Sequence, residues 1–129
     1  MDAQAQALSV RRIAGADAAR ALAGMEALDP RGLCGPGDIE AMCERGQCFE
    51  LAGAADAVYV LTVRNGIAWV DAAKGSGPLD LVAALHAIVT EQAEGLRAIA
   101  LQTARRGMVE KLKRRGFRVT GWILRKELQ

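Results

Sequence analysis

The chain has 129 residues and a net charge of +2, a length that suits one domain with a sizeable core and leaves no room for a second. Half of the residues are apolar and a quarter are charged, a balance that excludes a disordered or fibrous chain. No stretch approaches the ~20 apolar residues of a membrane span, and the opening MDAQAQALSVRRIAG lacks a signal peptide's basic start and apolar run, so no membrane contact and a cytoplasmic location are expected.

Residues 7–13 (ALSVRRI) suit a first strand. Asp17 then stands as a cap before a helix carrying Ala18, Leu22, Met25 and Leu28 on one face, and Asp29-Pro30 stops it, because the residue before proline disfavours the α region. After the turn chemistry of PRGLCGPG, Asp38 is a second cap with Ile39, Met42 and Cys43 clustered behind it, and Gly46 ends that short helix.

Residues 47–52, 57–64 and 67–73 read as three antiparallel strands, with Asn65-Gly66 between the last two as a strong hairpin signal. In the middle strand Val58 and Val60 alternate with Tyr59, Leu61 and Val63, so both faces should be covered by helices. After KGSG, Pro78 suits a first helical position, and Leu79, Leu81, Val82, Leu85, Ile88 and Val89 predict a long helix closed by Gly95.

Residues 97–103 (RAIALQT) read as a buried parallel strand, Met108, Val109 and Leu112 as one face of a short basic helix ended by Gly116, and Phe117 to Leu128 as one bent strand or two short ones around Gly121. The expected fold is thus α/β (α+β), a central mixed sheet of six to seven strands with four helices on both faces, in a single domain over residues 1–129.

Between residues 105 and 127 nine basic side chains face only Glu110 and Glu127, whereas the preceding chain holds eight basic and thirteen acidic residues. Such a basic region can meet phosphate, but it lacks interleaved aromatics and any recognition motif, so nucleic acid is not the expected partner. Cys34, Cys43 and Cys48 form no CxxC pair, and the single histidine, His86, lies in a different kind of segment, so neither a disulfide framework nor a metal site is expected.

The order of elements, strand, two helices, three antiparallel strands, helix, strand, helix and final strand or strands, resembles the GNAT acetyltransferase family over essentially the whole chain. In that family a turn of the form Q/R-x-x-G-x-G/A joins the fourth strand to the third helix and holds acyl-CoA pyrophosphate on backbone N–H groups. Here the place reads Ala72-Ala73-Lys74-Gly75-Ser76-Gly77. Both glycines match, a turn without side chains lets phosphate approach, and the helix N-terminus adds partial positive charge. A tight strand-to-helix connection with positive φ is the bland alternative. The run from Glu110 to Phe117, ending in Gly-Phe, is similar to the family's helix-to-strand junction.

The resemblance implies an acyl-CoA-dependent N-acyltransferase with acetyl-CoA as co-substrate and a small-molecule or protein amine as acceptor. The cofactor residues it implies are Val70, Ala72 and Ala73 along pantetheine, Lys74, Gly75, Ser76 and Gly77 at the pyrophosphate, and Arg105 nearby. Asp71 is the carboxylate nearest the acyl slot, with Glu50 on the second strand as the next candidate base; a solvated strand-end role is the alternative for Asp71. Gln102 and Thr103 end the fifth strand beside the cleft and suit substrate contact or simple strand termination.

Ala72 stands where the family has Gln or Arg, Leu112 where it commonly has a proton-donating tyrosine, and Asp80 adds a carboxylate to the third helix's first turn. These departures leave a second reading, a catalytically silent GNAT-fold binding or structural module, as in a phage or prophage setting. His86 and Tyr59 are expected to pack in the core, Trp69 and Trp122 to anchor the core or an interface, and a homodimer is compatible with the sequence.

Overall fold

The computed structural model describes residues 9–25, 37–53, 56–76, 80–103 and 105–128. In chain order the elements are β1 (Ser9–Ile13), α1 (Gly15–Ala21), α2 (Asp38–Arg45), β2 (Gln47–Ala52), β3 (Asp56–Arg64), β4 (Ile67–Ser76), α3 (Leu81–Gln92), β5 (Ala98–Leu101) and α4 (Arg106–Lys113). The strands form one sheet in the order β1-β2-β3-β4-β5. The first four are antiparallel, and β5 runs parallel to β4 after the crossover through α3.

The β3–β4 hairpin follows from its turn. Asn65 (φ 56°) and Gly66 (φ 75°) both adopt positive φ, as a two-residue turn of the primed type requires, and they set Arg64 opposite Ile67. Both faces of β3 are covered, as its doubly apolar alternation predicts. On one face Val60 packs with Ala18 and Leu22 of the α1 region, Ile39 and Cys43 of α2, Cys48 and Ala72. On the other, Tyr59 and Leu61 pack with Val89, Leu85 and Ile88 of α3. The Tyr59 hydroxyl, buried in that layer, donates to Gln92 Oε1 at 2.9 Å.

The expected six or seven strands become five among the described residues. Residues 117–128 have the composition of a strand but join no ladder, and strand propensity without a partner's backbone makes none. Strand β5 shares the consequence: Ile99, Ala100 and Leu101 are half-exposed and Ala98 exposed, where the apolar run predicts a buried strand.

The helix starts also shift. Ala14 takes the cap position of α1, and Asp17 lies within its first turn, paired with Arg20. Gly37 (φ 83°) precedes α2, so Asp38 is its first residue. Helix α3 begins at Leu81 rather than at Pro78, since Asp80 caps it; Pro78 and Gly77 lie outside the described residues, as do Leu28, the Asp29-Pro30 stop and Cys34.

Candidate functional site

Strand β4 carries a bulge. Its register with β3 passes from Leu61↔Val70 to Val60↔Ala72, so Asp71 is the extra residue. The parallel ladder with β5 runs from Ile67↔Ala98 to Val70↔Leu101 and ends at the same place. Beyond it β4 continues to Ser76 paired with β3 alone. In an antiparallel ladder alternate residues turn their N–H and C=O groups away from the partner strand. Along 71–76 those groups therefore face the gap that β5 leaves, and among the described residues no strand lies beside them. The end of β5 and residues 71–76 of β4 border this gap.

The bulge also decides where side chains point, because a one-residue slip exchanges the two faces of a strand. Ala72 joins the α1–α2 core at 8% exposure, while Val70 and Ala73 face the α3 layer. Lys74 is turned to the α1 side, where its Nζ donates to the Ala23 carbonyl at 3.5 Å. It is thus tethered to the segment after α1.

Gly75 is required for a reason other than the expected one. It lies within β4 and has no positive φ; a Cβ there would come within 2.7 Å of the Asp56 carbonyl oxygen, 2.8 Å of Leu81 Cδ1 and 2.9 Å of Ala57 Cβ. Lys74, Gly75 and the exposed Ser76 thus extend the strand where a turn was expected, and Gly77 falls outside the described residues.

Asp71 is held rather than solvated. Its Oδ2 accepts from Thr62 Oγ1 at 2.7 Å and its Oδ1 from Arg64 at 3.0 Å, with only 12% of the side chain exposed. The Arg64 guanidinium in turn stacks over Trp69, 4.5 Å from the ring centroid. Thr62, Arg64 and Trp69 were not singled out by motif. Counting back from the Asn65-Gly66 turn does pair Thr62 with Trp69, but the bulge that presents Asp71 to Thr62 has no signature in the sequence.

Glu50 is not brought to Asp71. It pairs with Arg11 across β1–β2 at 3.0 Å and lies in the row of Val58 and Lys74. That is two strands and three residues from Asp71, or roughly 14 Å on ordinary sheet spacings.

At the helix that follows the gap, Asp80 accepts hydrogen bonds from Val82 N (3.1 Å) and Ala83 N (3.3 Å), with Arg115 at 4.0 Å. These first-turn N–H groups are the donors an anion at this helix end would use, and a carboxylate already holds them. Arg105 occupies the cap position of α4, exposed, and its backbone N–H donates to Thr103 Oγ1 at 3.1 Å. Gln102 is exposed beside it. Leu112 is buried at 8% exposure, and His86 is half-buried with its ring edge-on to Phe117 at 5.8 Å.

The displaced pKa values belong to the core. Burial pushes the Tyr59 phenol up to about 12 against the opposing pull of its Gln92 bond. Burial, the neighbouring Cys48 and Glu40 push the Cys43 thiol up to about 11. A separate hollow of about 650 Å³ lies at the β1 side of the sheet, between the β1–α1 junction and α2, and is lined by Arg12, Glu40, Glu44 and both described cysteines. Among the described residues no group of three or more His, Cys, Asp or Glu is gathered for a metal ion, and no helix is long and apolar enough to cross a membrane.

No family model matches the sequence, and no curated protein matches it. Solved structures do. A structure described as "a possible acetyltransferase from Clostridium difficile 630" overlays with a TM-score of 0.63 at 8% identity, covering 95% of this chain and 98% of that one. The aminoglycoside N-acetyltransferase AAC(6')-Iy in complex with CoA covers 95% of each chain at 14% identity, with a TM-score of 0.49. The chain has a GNAT-like fold over nearly its whole length.

Proposed function

We propose that this chain is an acyl-CoA-dependent N-acyltransferase that passes an acetyl group from acetyl-CoA directly to an amine. The observation that carries the reading is the parting of β4 from β5 at the Asp71 bulge, which turns the backbone of 71–76 toward an open gap. An extended ligand with amide groups, such as pantetheine, can add to that edge as a further strand would. The thioester carbonyl would then lie at the bulge, where a backbone N–H can meet the negative charge that develops on its oxygen.

In the transfer the amine nitrogen attacks the carbonyl carbon, the C–N bond forms, the C–S bond breaks, and the thiolate takes up the proton the nitrogen gives up. In this reading Asp71 helps to remove that proton through water. Leu112 supplies no proton to the thiolate. The chain's residues fit pantetheine better than they fit a diphosphate at the start of α3, whose N–H groups Asp80 holds. The phosphates would therefore rest on the cationic side chains of Arg105 and Arg115. The acceptor, a small-molecule or protein amine, would approach between the gap and residues 37–46.

A silent binding module on the same fold is the second reading. Both carboxylate oxygens of Asp71 are already engaged, and Leu112 belongs to the core. One titration followed by one assay separates the two. Acetyl-CoA at 100 times its dissociation constant should add about 2.7 kcal/mol of stability and raise the melting temperature by several degrees. Thiol release with a panel of amines supports the acyltransferase; binding without release supports the silent module. If neither acetyl-CoA nor CoA moves the melting temperature, the acyltransferase reading fails.

A further inference from the structure

Two cysteines that form no motif in the sequence meet where α2 gives way to β2. Cys43 lies in the last turn of the helix and Cys48 is the second residue of the strand. The chain reverses between them at Gly46, which is extended (φ −94°, ψ 176°) and pressed to the sheet. A Cβ there would come within 2.5 Å of Val60 Cγ1 and 2.9 Å of the Leu61 carbonyl oxygen. The helix therefore ends directly over the strand that follows it. Gly15 fixes the other side, since a Cβ there would lie 2.9 Å from the Cys43 carbonyl oxygen.

Both cysteines belong to one core layer with Ala18, Ile39, Val60 and Ala72. The Cys48 thiol donates to the Cys43 carbonyl at 3.5 Å, and the two thiols also hydrogen-bond each other. Only 4% of Cys43 and 2% of Cys48 is exposed, yet both line the hollow of about 650 Å³ between the β1–α1 junction and α2, which has room for an oxidant little larger than water. Neither thiol takes part in the proposed acyl transfer.

We propose that Cys43 and Cys48 form a reversible dithiol site, which hydrogen peroxide entering the hollow oxidises to an intramolecular disulfide. One sulfur attacks the peroxide, the O–O bond breaks, and a sulfenic acid forms as the first water leaves. The second sulfur then displaces the hydroxyl, the S–S bond forms, and the hydroxyl departs as water with the second thiol's proton. The two thiols lose two protons and two electrons, and the peroxide takes them up to become two waters. Burial favours this product over the others open to a thiol. A sulfinate or a thiolate-bound metal would carry charge into the core, whereas a disulfide is neutral. The second thiol, already beside the first, intercepts the sulfenic acid before it is oxidised further. The inference does not rest on acyl-CoA binding.

The test uses the full chain with Cys34→Ser, so that the pair supplies the only thiols, and circular dichroism checks the fold. Excess hydrogen peroxide should abolish both titratable thiols and lower the mass by two hydrogens. Trypsin, which cuts after Arg45, should then release residues 32–45 and 46–64 as one linked product that a reductant separates. The oxidised protein should melt several degrees above the reduced one, and in a glutathione redox buffer its ratio of disulfide to dithiol should be about tenfold higher folded than in concentrated urea. Thiols that survive peroxide in the folded protein overturn the proposal, as does a gain of oxygen without the linked product. A linkage between chains, or a bond that forms only in urea or lowers the melting temperature, does so too, because the fold would then not bring these two sulfurs together.

Discussion

The two ends of the sheet are built on opposite terms. From β1 to β4 the inner strands have a partner on each side, helices cover both faces, and Leu22, Leu51, Tyr59 and Val60 are fully buried. From β5 onward one four-residue strand sits at an edge, none of its residues is buried, and the chain beyond α4 exposes its largest apolar side chains. The bulge at Asp71 is the border. A stable platform on one side of it frees the other side to leave backbone groups and apolar surface for whatever joins the protein there.

The largest expected contrast lies between two leucines. Leu22→Ala should cost about 2–5 kcal/mol in urea denaturation, because it opens a cavity at a fully buried position, whereas Leu124→Ala at an exposed one should change stability by under about 0.5 kcal/mol. Similar losses at both positions would break the comparison.

Next in size is alkaline destabilisation of the platform. Tyr59 and Cys43 ionise from ordinary values of 10.0 and 9.0 in the unfolded chain, but near 12 and 11 in the fold. Both are neutral when protonated, so their full contribution is present below pH 9, and stability falls as pH rises from 9 through 12. Each group gives up to about 1.4 kcal/mol per pH unit across its own interval. Tyr59→Phe should remove the upper part of that decline, and an unchanged profile would place the ionising group elsewhere.

Asp80→Ala sharpens the border itself. Loss of the cap should cost about 1 kcal/mol, while CoA affinity should rise, because the Val82 and Ala83 N–H groups become available to phosphate. Calorimetric titration of the variant against the parent measures it; a fall in affinity would make Asp80 part of the binding surface.

The smallest effect is expected at Arg64→Ala. The guanidinium is more than half exposed, so losing its pair with Asp71 and its stacking on Trp69 should cost roughly 0.5–1 kcal/mol. A larger loss would mean that the Thr62–Asp71–Arg64 cluster holds the bulge in place.

Much of the platform was legible because its signals are local. The Asn65-Gly66 turn fixes a hairpin by its φ angles, alternation in residues 57–64 announces two covered faces, and apolar spacing marks α3 and α4. The gap was legible only by its place in the order of elements. The bulge that opens it inserts one residue into a ladder, and whether Asp71 or a neighbour is extra depends on how β3 and β4 pack against α2 and α3. Gly75 illustrates the same limit: the glycine stands out in the sequence, but the Asp56 carbonyl and Ala57 side chain that demand it come from β3 and the Leu81 side chain from α3.

By itself the sequence determined the order and period of the elements, the apolar faces of the helices and the absence of a side-chain hydroxyl at position 112, since each follows from residues near one another in the chain. Tertiary structure alone decided that Asp71 is bound by Thr62 and Arg64 and that Lys74 reaches Ala23. It also left residues 118–128 outside the sheet that their own composition suits. Propensity says what a segment can become; only a partner backbone at the right distance makes it a strand.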